Sequence, residues 1–210
     1  VKYVDLEKNY NSYKTQINSV FERVLTNGAF ILRDDVLKFE EHIAEKLNAK
    51  FAVGVNSGTD ALKLSLKAIG IKPGDEVITA ANTFVATVGA INEVGAKIVF
   101  VDCDDTFCMN VDLLEKKITK RTKAIIPVHF TGYMTNMPKL MKISKKYKIP
   151  IVEDACQSIL GSINKKNAGT WGVTGAFSLH PLKNINVWSD GGVVTTDNEK
   201  IYKKLLLLRN

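Results

Sequence analysis

Cysteine is scarce in this chain. Its 210 residues hold three, Cys103, Cys108 and Cys156. So small and odd a number excludes a disulfide framework and points to a reducing compartment, the cytoplasm. Neither Cys103 nor Cys108 has a histidine neighbour at metal-ligand spacing, so no metal site is expected. No apolar run approaches the ~18 residues that a membrane span requires. The opening stretch VKYVDLEKNY lacks the apolar centre of a secretory signal, and none is expected. Arginine is rare as well. The net charge is +7, from 29 Lys+Arg against 22 Asp+Glu, yet only Arg23, Arg33, Arg121 and Arg209 are arginine. The surplus is scattered lysine (Lys139, Lys142, Lys145, Lys146, Lys148), which reads as a solvated helix face rather than a nucleic-acid surface.

What is present is an ordinary globular mixture, 45% hydrophobic and 24% charged, long enough to build a core without staples. Short apolar runs alternate with amphipathic stretches. Helical spacing is expected over 13–27, 34–48, 59–69, 85–94, 111–118, 137–147 and 198–209. Strands are expected at 51–55, 76–79, 97–101, 124–128 (interrupted by Pro127), 150–152 running into Glu153-Asp154, 175–179 and 192–195. Near-continuous apolar strands between helices indicate an α/β fold, a three-layer sandwich with a mostly parallel central sheet. Ligands in such sheets bind where strands end at their carboxyl side.

Three stretches stand at such ends. Asn56-Ser57-Gly58-Thr59 follows the strand FAVGV and opens a helix. The unpaired N–H groups there suit an anion, and Gly58 permits close approach; a plain N-cap by Ser57 or Thr59 explains the same residues. It is neither a Walker A loop nor GxGxxG, which argues against ATP and dinucleotides. Asp154 ends the apolar strand IPIV. A carboxylate buried there needs a cation or strong donor, such as a protonated heterocyclic nitrogen, or else it is a capping or salt-bridged residue. Lys183 follows Ser178 by five residues in GAFSLHPLKN. Its neighbours Leu182, Asn184, Ile185, Asn186, Val187 and Trp188 are apolar or neutral, and desolvation would favour the free amine used in covalent catalysis. A surface lysine is the alternative. His129 reads as a hydrogen-bonded structural residue, His42 as a helix-surface residue and Cys156 as packing. Trp171 and Trp188 fall in loops on the same side.

In this order, the phosphate seat, the strand-end carboxylate and the serine–lysine pair resemble the pyridoxal-phosphate enzymes of the aspartate-aminotransferase fold. The stretches FAVGVNSGTDALKLSLKAIGIKPGDEVITAANTFVATVGAI, AIIPVHFTGYMTNM, IPIVEDACQS and GAFSLHPLKN…DGGVVTT resemble more closely the DegT/DnrJ/EryC1/StrS sugar aminotransferases. That resemblance implies a PLP-dependent large domain over 1–210, an N-terminal helical segment at roughly 1–48 included, without the family's small C-terminal domain. It implies pyridoxal 5'-phosphate held covalently by Lys183, with Asp154 on the pyridine nitrogen and Gln157 near the phenolic oxygen. The Gly58 and Thr59 backbone and the Ser178 hydroxyl would hold the phosphate, and Phe84 would stack on the ring. Phe84 has an alternative as a core phenylalanine. The implied activity is transfer of an amino group from glutamate to a keto carbon of a nucleotide-linked deoxysugar, in lipopolysaccharide, O-antigen or other glycan biosynthesis, by a cytoplasmic homodimer. Two alternatives are a PLP-dependent sugar dehydratase, which carries histidine at the lysine position, and a non-catalytic or truncated regulatory homologue. Val173 and Ser189-Asp190 depart from the family's common residues on loops near the site.

Overall fold

A computed structural model describes residues 2, 4–28 and 30–210. It contains two compact units, 1–39 and 40–210. In the first, helix α1 (Leu6–Thr26) starts at Asp5, whose side chain accepts from the Lys8 N–H at 3.0 Å. This is the ordinary N-cap bond. It makes α1 longer than the apolar spacing over 13–27 indicates, because the first two turns are polar and carry no periodic signal. None of the described residues of α1 is buried, and Tyr13, Val20, Phe21 and Leu25 are exposed. Helix α2 (Asp34–Leu47) begins in this unit, and its residues from Glu40 onward belong to the second.

The second unit runs β1 (Phe51–Val55), α3 (Gly58–Ala68), β2 (Glu76–Ala80), α4 (Val85–Glu93), β3 (Lys97–Val101), α5 (Val111–Leu114), β4 (Thr122–Ile126), α6 (Met137–Tyr147), β5 (Val152–Asp154), β6 (Ser162–Ile163), β7 (Lys166–Asn167), β8 (Thr174–Ser178), β9 (Gly192–Thr196) and α7 (Glu199–Leu208). The strand order β1-β9-β8-β5 continues into β4-β2-β3 through parallel bridges Ile125–Ile151 and Val128–Asp154. In this sheet β9 runs against its neighbours, pairing antiparallel with β1 and β8; the β5–β8, β2–β3 and β2–β4 pairs are parallel. The fold is therefore α/β with a mostly parallel sheet.

Alternation along the strands sets the layers. Val53, Val77, Ala124, Ile126, Val152, Ala176 and Val194 face one core with Leu62 and Leu66 of α3, Ile91 of α4 and Leu205 of α7. Residues of opposite parity, Ala52, Ile78, Ile125 and Ile151, are buried too. Both faces are covered, which makes the three-layer sandwich. Each large side chain fully buried here contributes about 1.5–3 kcal/mol. The inner end of α2 joins the same unit through Glu40, whose carboxylate accepts from the Gly54 N–H at 2.6 Å and pairs with Arg209.

Two strand boundaries differ from the sequence reading by more than one residue. β4 covers 122–126, not 124–128, because Pro127 has no N–H to extend the ladder. Its carbonyl still accepts from the Asp154 N–H at 2.9 Å. β5 begins at Val152, since Pro150 lies at the run's start. The expected helix over 111–118 is a short α5 followed by a 3₁₀ turn at Glu115–Lys117. The β6–β7 hairpin was not expected: its strands are too short to show period-two alternation.

Candidate functional site

Gly58, Asp154 and Ser178 lie at one edge of the sheet, where β1, β5 and β8 end, and Phe84 opens α4 after β2. Two helices start there. Ser57 caps α3, its hydroxyl accepting from the Asp60 N–H at 3.0 Å. This leaves the Gly58 and Thr59 N–H groups with no partner among the described residues, at the positive end of the helix dipole. Ser178 ends β8 against this turn. A Cβ added to Gly58 would lie 2.7 Å from the Ser178 Cβ and 3.0 Å from the Cys156 Sγ, so only glycine admits this approach. Gly192, at the start of β9, is packed as tightly on the Ser57 carbonyl. The Ser178 Oγ accepts from the His180 N–H at 3.3 Å, and its own proton remains to be donated.

Asp154 ends β5 and is only 5% exposed. Its Oδ2 accepts from the Thr87 hydroxyl at 2.7 Å and its Oδ1 from the Cys156 N–H at 3.2 Å. A carboxylate has about four acceptor positions, so half of its capacity is unused by these bonds. Cys156 lies between Asp154 and the α3 turn. Burial pushes its thiol well above the ordinary range, the Asp154 charge pushes the same way, and the Lys183 charge opposes them. The thiol is therefore a poor nucleophile, as the packing role required. The Lys183 charge thus bears on the Cys156 thiol.

Lys183 itself is half-buried, but its loop is not the apolar enclosure expected. Leu182 is 63% and Trp188 61% exposed, and Ile185 and Val187 also face outward. Side chains three and four residues apart have no helix or strand here to turn them inward. Phe84 is the extended N-cap residue of α4, one turn before Thr87, and is 62% exposed; it is not a core phenylalanine. The Gln157 Oε1 accepts from the Thr131 N–H at 2.9 Å, which leaves the amide nitrogen free to donate. Thr131 holds a left-handed backbone, φ 53°.

On the opposite face of the same strand, Glu153 is fully buried. It accepts from His129 Nε2 at 3.0 Å and from the Gly169, Trp171 and Gly172 N–H groups at 2.9, 2.6 and 2.7 Å. The Thr135 N–H donates to His129 Nδ1 at 3.3 Å, which assigns the ring proton to Nε2 and makes His129 the structural residue expected. His42 is exposed. Sequence reasoning missed Thr87, Thr131 and the Glu153 receptor. Thr87, in the first turn of α4, carries no signal in the sequence that sets it apart from other helix-start threonines.

A half-satisfied buried carboxylate, a helix-start anion seat and an amine at one sheet edge match the chemistry of a phosphorylated pyridine aldehyde. Gly58 against Ser178 leaves the unpaired N–H groups and the Ser178 hydroxyl side by side. The fold and these residues thus define a protein of the pyridoxal-phosphate-dependent transferase type. Residues 11–210 match the DegT/DnrJ/EryC1/StrS aminotransferase family, and the chain belongs to that family. It is 40% identical to the UDP-N-acetyl-3-dehydro-alpha-D-glucosamine 3-aminotransferase of Acidithiobacillus ferrooxidans, covering 100% of this chain and 57% of that one. It is 40% identical to the pleiotropic regulatory protein of Geobacillus stearothermophilus, covering 100% of this chain and 56% of that one. The structure of S. venezuelae DesV in complex with a ketimine intermediate superposes with TM-score 0.94 at 36% identity, covering 100% of this chain and 57% of that one. A GDP-4-keto-6-deoxymannose-3-dehydratase shares the fold at TM-score 0.85 and 32% identity, over 90% of this chain and 50% of that one. The chain thus spans little more than half the length of these curated relatives. Solved structures similar to it hold pyridoxal phosphate chemistry or its amine form, and pyridoxal phosphate is the cofactor. Among the described residues no helix is long and apolar enough to cross a membrane, and no group of three or more metal-ligating side chains occurs.

Proposed function

We propose that this chain is the cofactor-binding part of an aminotransferase that moves an amino group from glutamate to a keto carbon of a nucleotide-linked deoxysugar. The carrying observation is the buried Asp154 carboxylate with half its acceptor capacity open, beside Cys156 and the Gly58–Ser178 approach at the start of α3. When bound, pyridoxal phosphate supplies an aldehyde for an amine and an electron-withdrawing ring. The chain's own residues would do the rest. Lys183 Nζ would hold the cofactor and would move a proton at the substrate carbon. Asp154 keeps a ring nitrogen protonated through a charge-assisted bond. Gln157 donates its amide N–H to the phenolic oxygen. The Gly58 and Thr59 N–H groups and the Ser178 hydroxyl bind the phosphate. The exposed ring of Phe84 covers the pyridine face.

A cytoplasmic homodimer fits this reading. Val85, Phe107, Tyr133 and Leu160 are large apolar side chains exposed in the second unit, of the kind that a second subunit would cover. Dehydratase chemistry is the second reading, prompted by the similar dehydratase fold. Lysine rather than histidine at 183 favours amino transfer, and the nearby His180 is occupied: its Nδ1 accepts from the Leu182 N–H at 3.2 Å.

The test is mass analysis of products from a panel of nucleotide-linked keto sugars incubated with glutamate and pyridoxal phosphate. Amino-sugar product together with 2-oxoglutarate is expected. A deoxygenated product without nitrogen would assign the chain to dehydration instead. No product from any sugar, together with no change in cofactor absorbance, would favour a regulatory homologue.

A further inference from the structure

We infer that Thr87 is a positioning residue that acts through Asp154: its hydroxyl holds the carboxylate turned so that its open acceptor positions face the cofactor. This rests on the cofactor reading above and extends it to a residue which does not itself touch the cofactor.

The direction of the hydrogen bonds carries the inference. An ionised carboxylate only accepts, so the 2.7 Å contact between Thr87 Oγ1 and Asp154 Oδ2 spends the single Thr87 proton. The 2.7 Å contact between Thr87 Oγ1 and Thr83 Oγ1 must then be donated by Thr83. The result is a one-way chain, Thr83 to Thr87 to Asp154, with every proton pointing toward the negative charge. Each link polarises the next. Thr87 is fully buried, and Thr83 is half-buried, so water does not replace the Thr87 donor. The remaining bond to Asp154, from the Cys156 N–H, is longer at 3.2 Å and reaches the other oxygen. Without Thr87, the carboxylate loses its shortest donor and can rotate about its Cα–Cβ and Cβ–Cγ bonds. The third residue of α4 is also where a negative charge gains from the helix dipole. A hydroxyl is needed at this place, since valine, of the same shape as threonine, has no proton to give.

The experiment measures equilibrium binding of pyridoxal phosphate to the full chain by absorbance, for the wild type, Thr87→Val, Thr87→Ser, Asp154→Asn and the Thr87→Val/Asp154→Asn pair. Loss of a hydrogen bond to a charged group predicts that Thr87→Val weakens binding about ten-fold or more, while Thr87→Ser stays within about two-fold of wild type. In the Asp154→Asn background, Thr87→Val is expected to have no further effect, because the two act as one unit. Additive losses would mean that Thr87 acts through packing, and would overturn the inference. So would wild-type affinity in Thr87→Val beside weakened binding in Asp154→Asn; the cofactor reading would then survive alone. If Asp154→Asn binds as tightly as wild type, the cofactor reading fails and the inference fails with it. Should Asp154→Asn abolish binding, the valine–serine contrast decides by itself. Should Thr87→Val not fold, Thr87→Ala replaces it under the same expectations.

Discussion

Glu153 and Asp154 are consecutive on β5, and both carboxylates are buried, yet they face different regions. Behind the sheet, Glu153 receives four donors, three from the 169–172 loop and one from His129. That is the full capacity of a carboxylate. In front, Asp154 receives two. A saturated buried anion is a structural joint, fastening a loop that has no ladder of its own. An unsaturated one in a site open to ligands is held ready for a further donor. Burial alone does not separate these roles; the count of donors does.

Removing the joint has the largest expected effect. Glu153→Leu leaves the Gly169, Trp171 and Gly172 N–H groups and His129 unpaired, and urea unfolding should show a loss of about 3–5 kcal/mol. A loss under about 1 kcal/mol would mean that the four bonds do not fasten the loop. Asp154→Asn should do the reverse. Its unfolding free energy should stay within about 1 kcal/mol of wild type, while affinity for pyridoxal phosphate falls by about a hundred-fold, from loss of a charge-assisted bond. Equal destabilisation by both substitutions would erase the contrast.

The anion seat beside Asp154 can be tested sterically. Gly58→Ala forces a methyl group against Ser178, and overpacking of this kind costs about 1–3 kcal/mol. Cofactor affinity should fall by about ten-fold, and raising the phosphate-bearing ligand's concentration should restore binding. Unchanged affinity would place the phosphate elsewhere.

The smallest effect concerns a third buried carboxylate, Glu76, at the opposite end of the sheet. The Thr119 hydroxyl and then the Arg121 guanidinium hold its carboxyl below the ordinary 4.5, through bonds of 2.6, 3.0 and 2.8 Å. The native protein therefore binds fewer protons here than the unfolded chain. This stabilisation is complete above the ordinary carboxylate value and is lost as pH falls through the depressed one. Glu76→Gln should flatten the acid limb of a stability–pH curve measured below about pH 5. An unaltered limb would show that other carboxylates govern it.

Period and punctuation made much of the fold legible. The apolar runs at 51–55, 97–101 and 192–195 and the helix over 137–147 lie where the spacing indicated. Misplaced boundaries came from Pro127 and from the polar first turns of α1, where periodicity carries no information. The candidate residues were legible one by one through their places at strand ends. Their surroundings were not. Lys183 lies in an exposed loop although its sequence neighbours are apolar, since composition does not say which way a loop turns.

The sequence by itself determined the order of elements, because hydrophobic period follows directly from backbone geometry. It also determined the chemical groups available: one strand-end acid, one loop lysine, one glycine-bearing helix start. The pairing across the chain was decided only by the tertiary structure. Thr87 meets Asp154 across 67 positions, and Glu153 meets its loop across 16 to 19. Such contacts depend on how a twisted parallel sheet brings separate strand ends together, and no local pattern encodes that distance. Adjacent acids thus became a joint and a binding group through the donors that folding delivered to each.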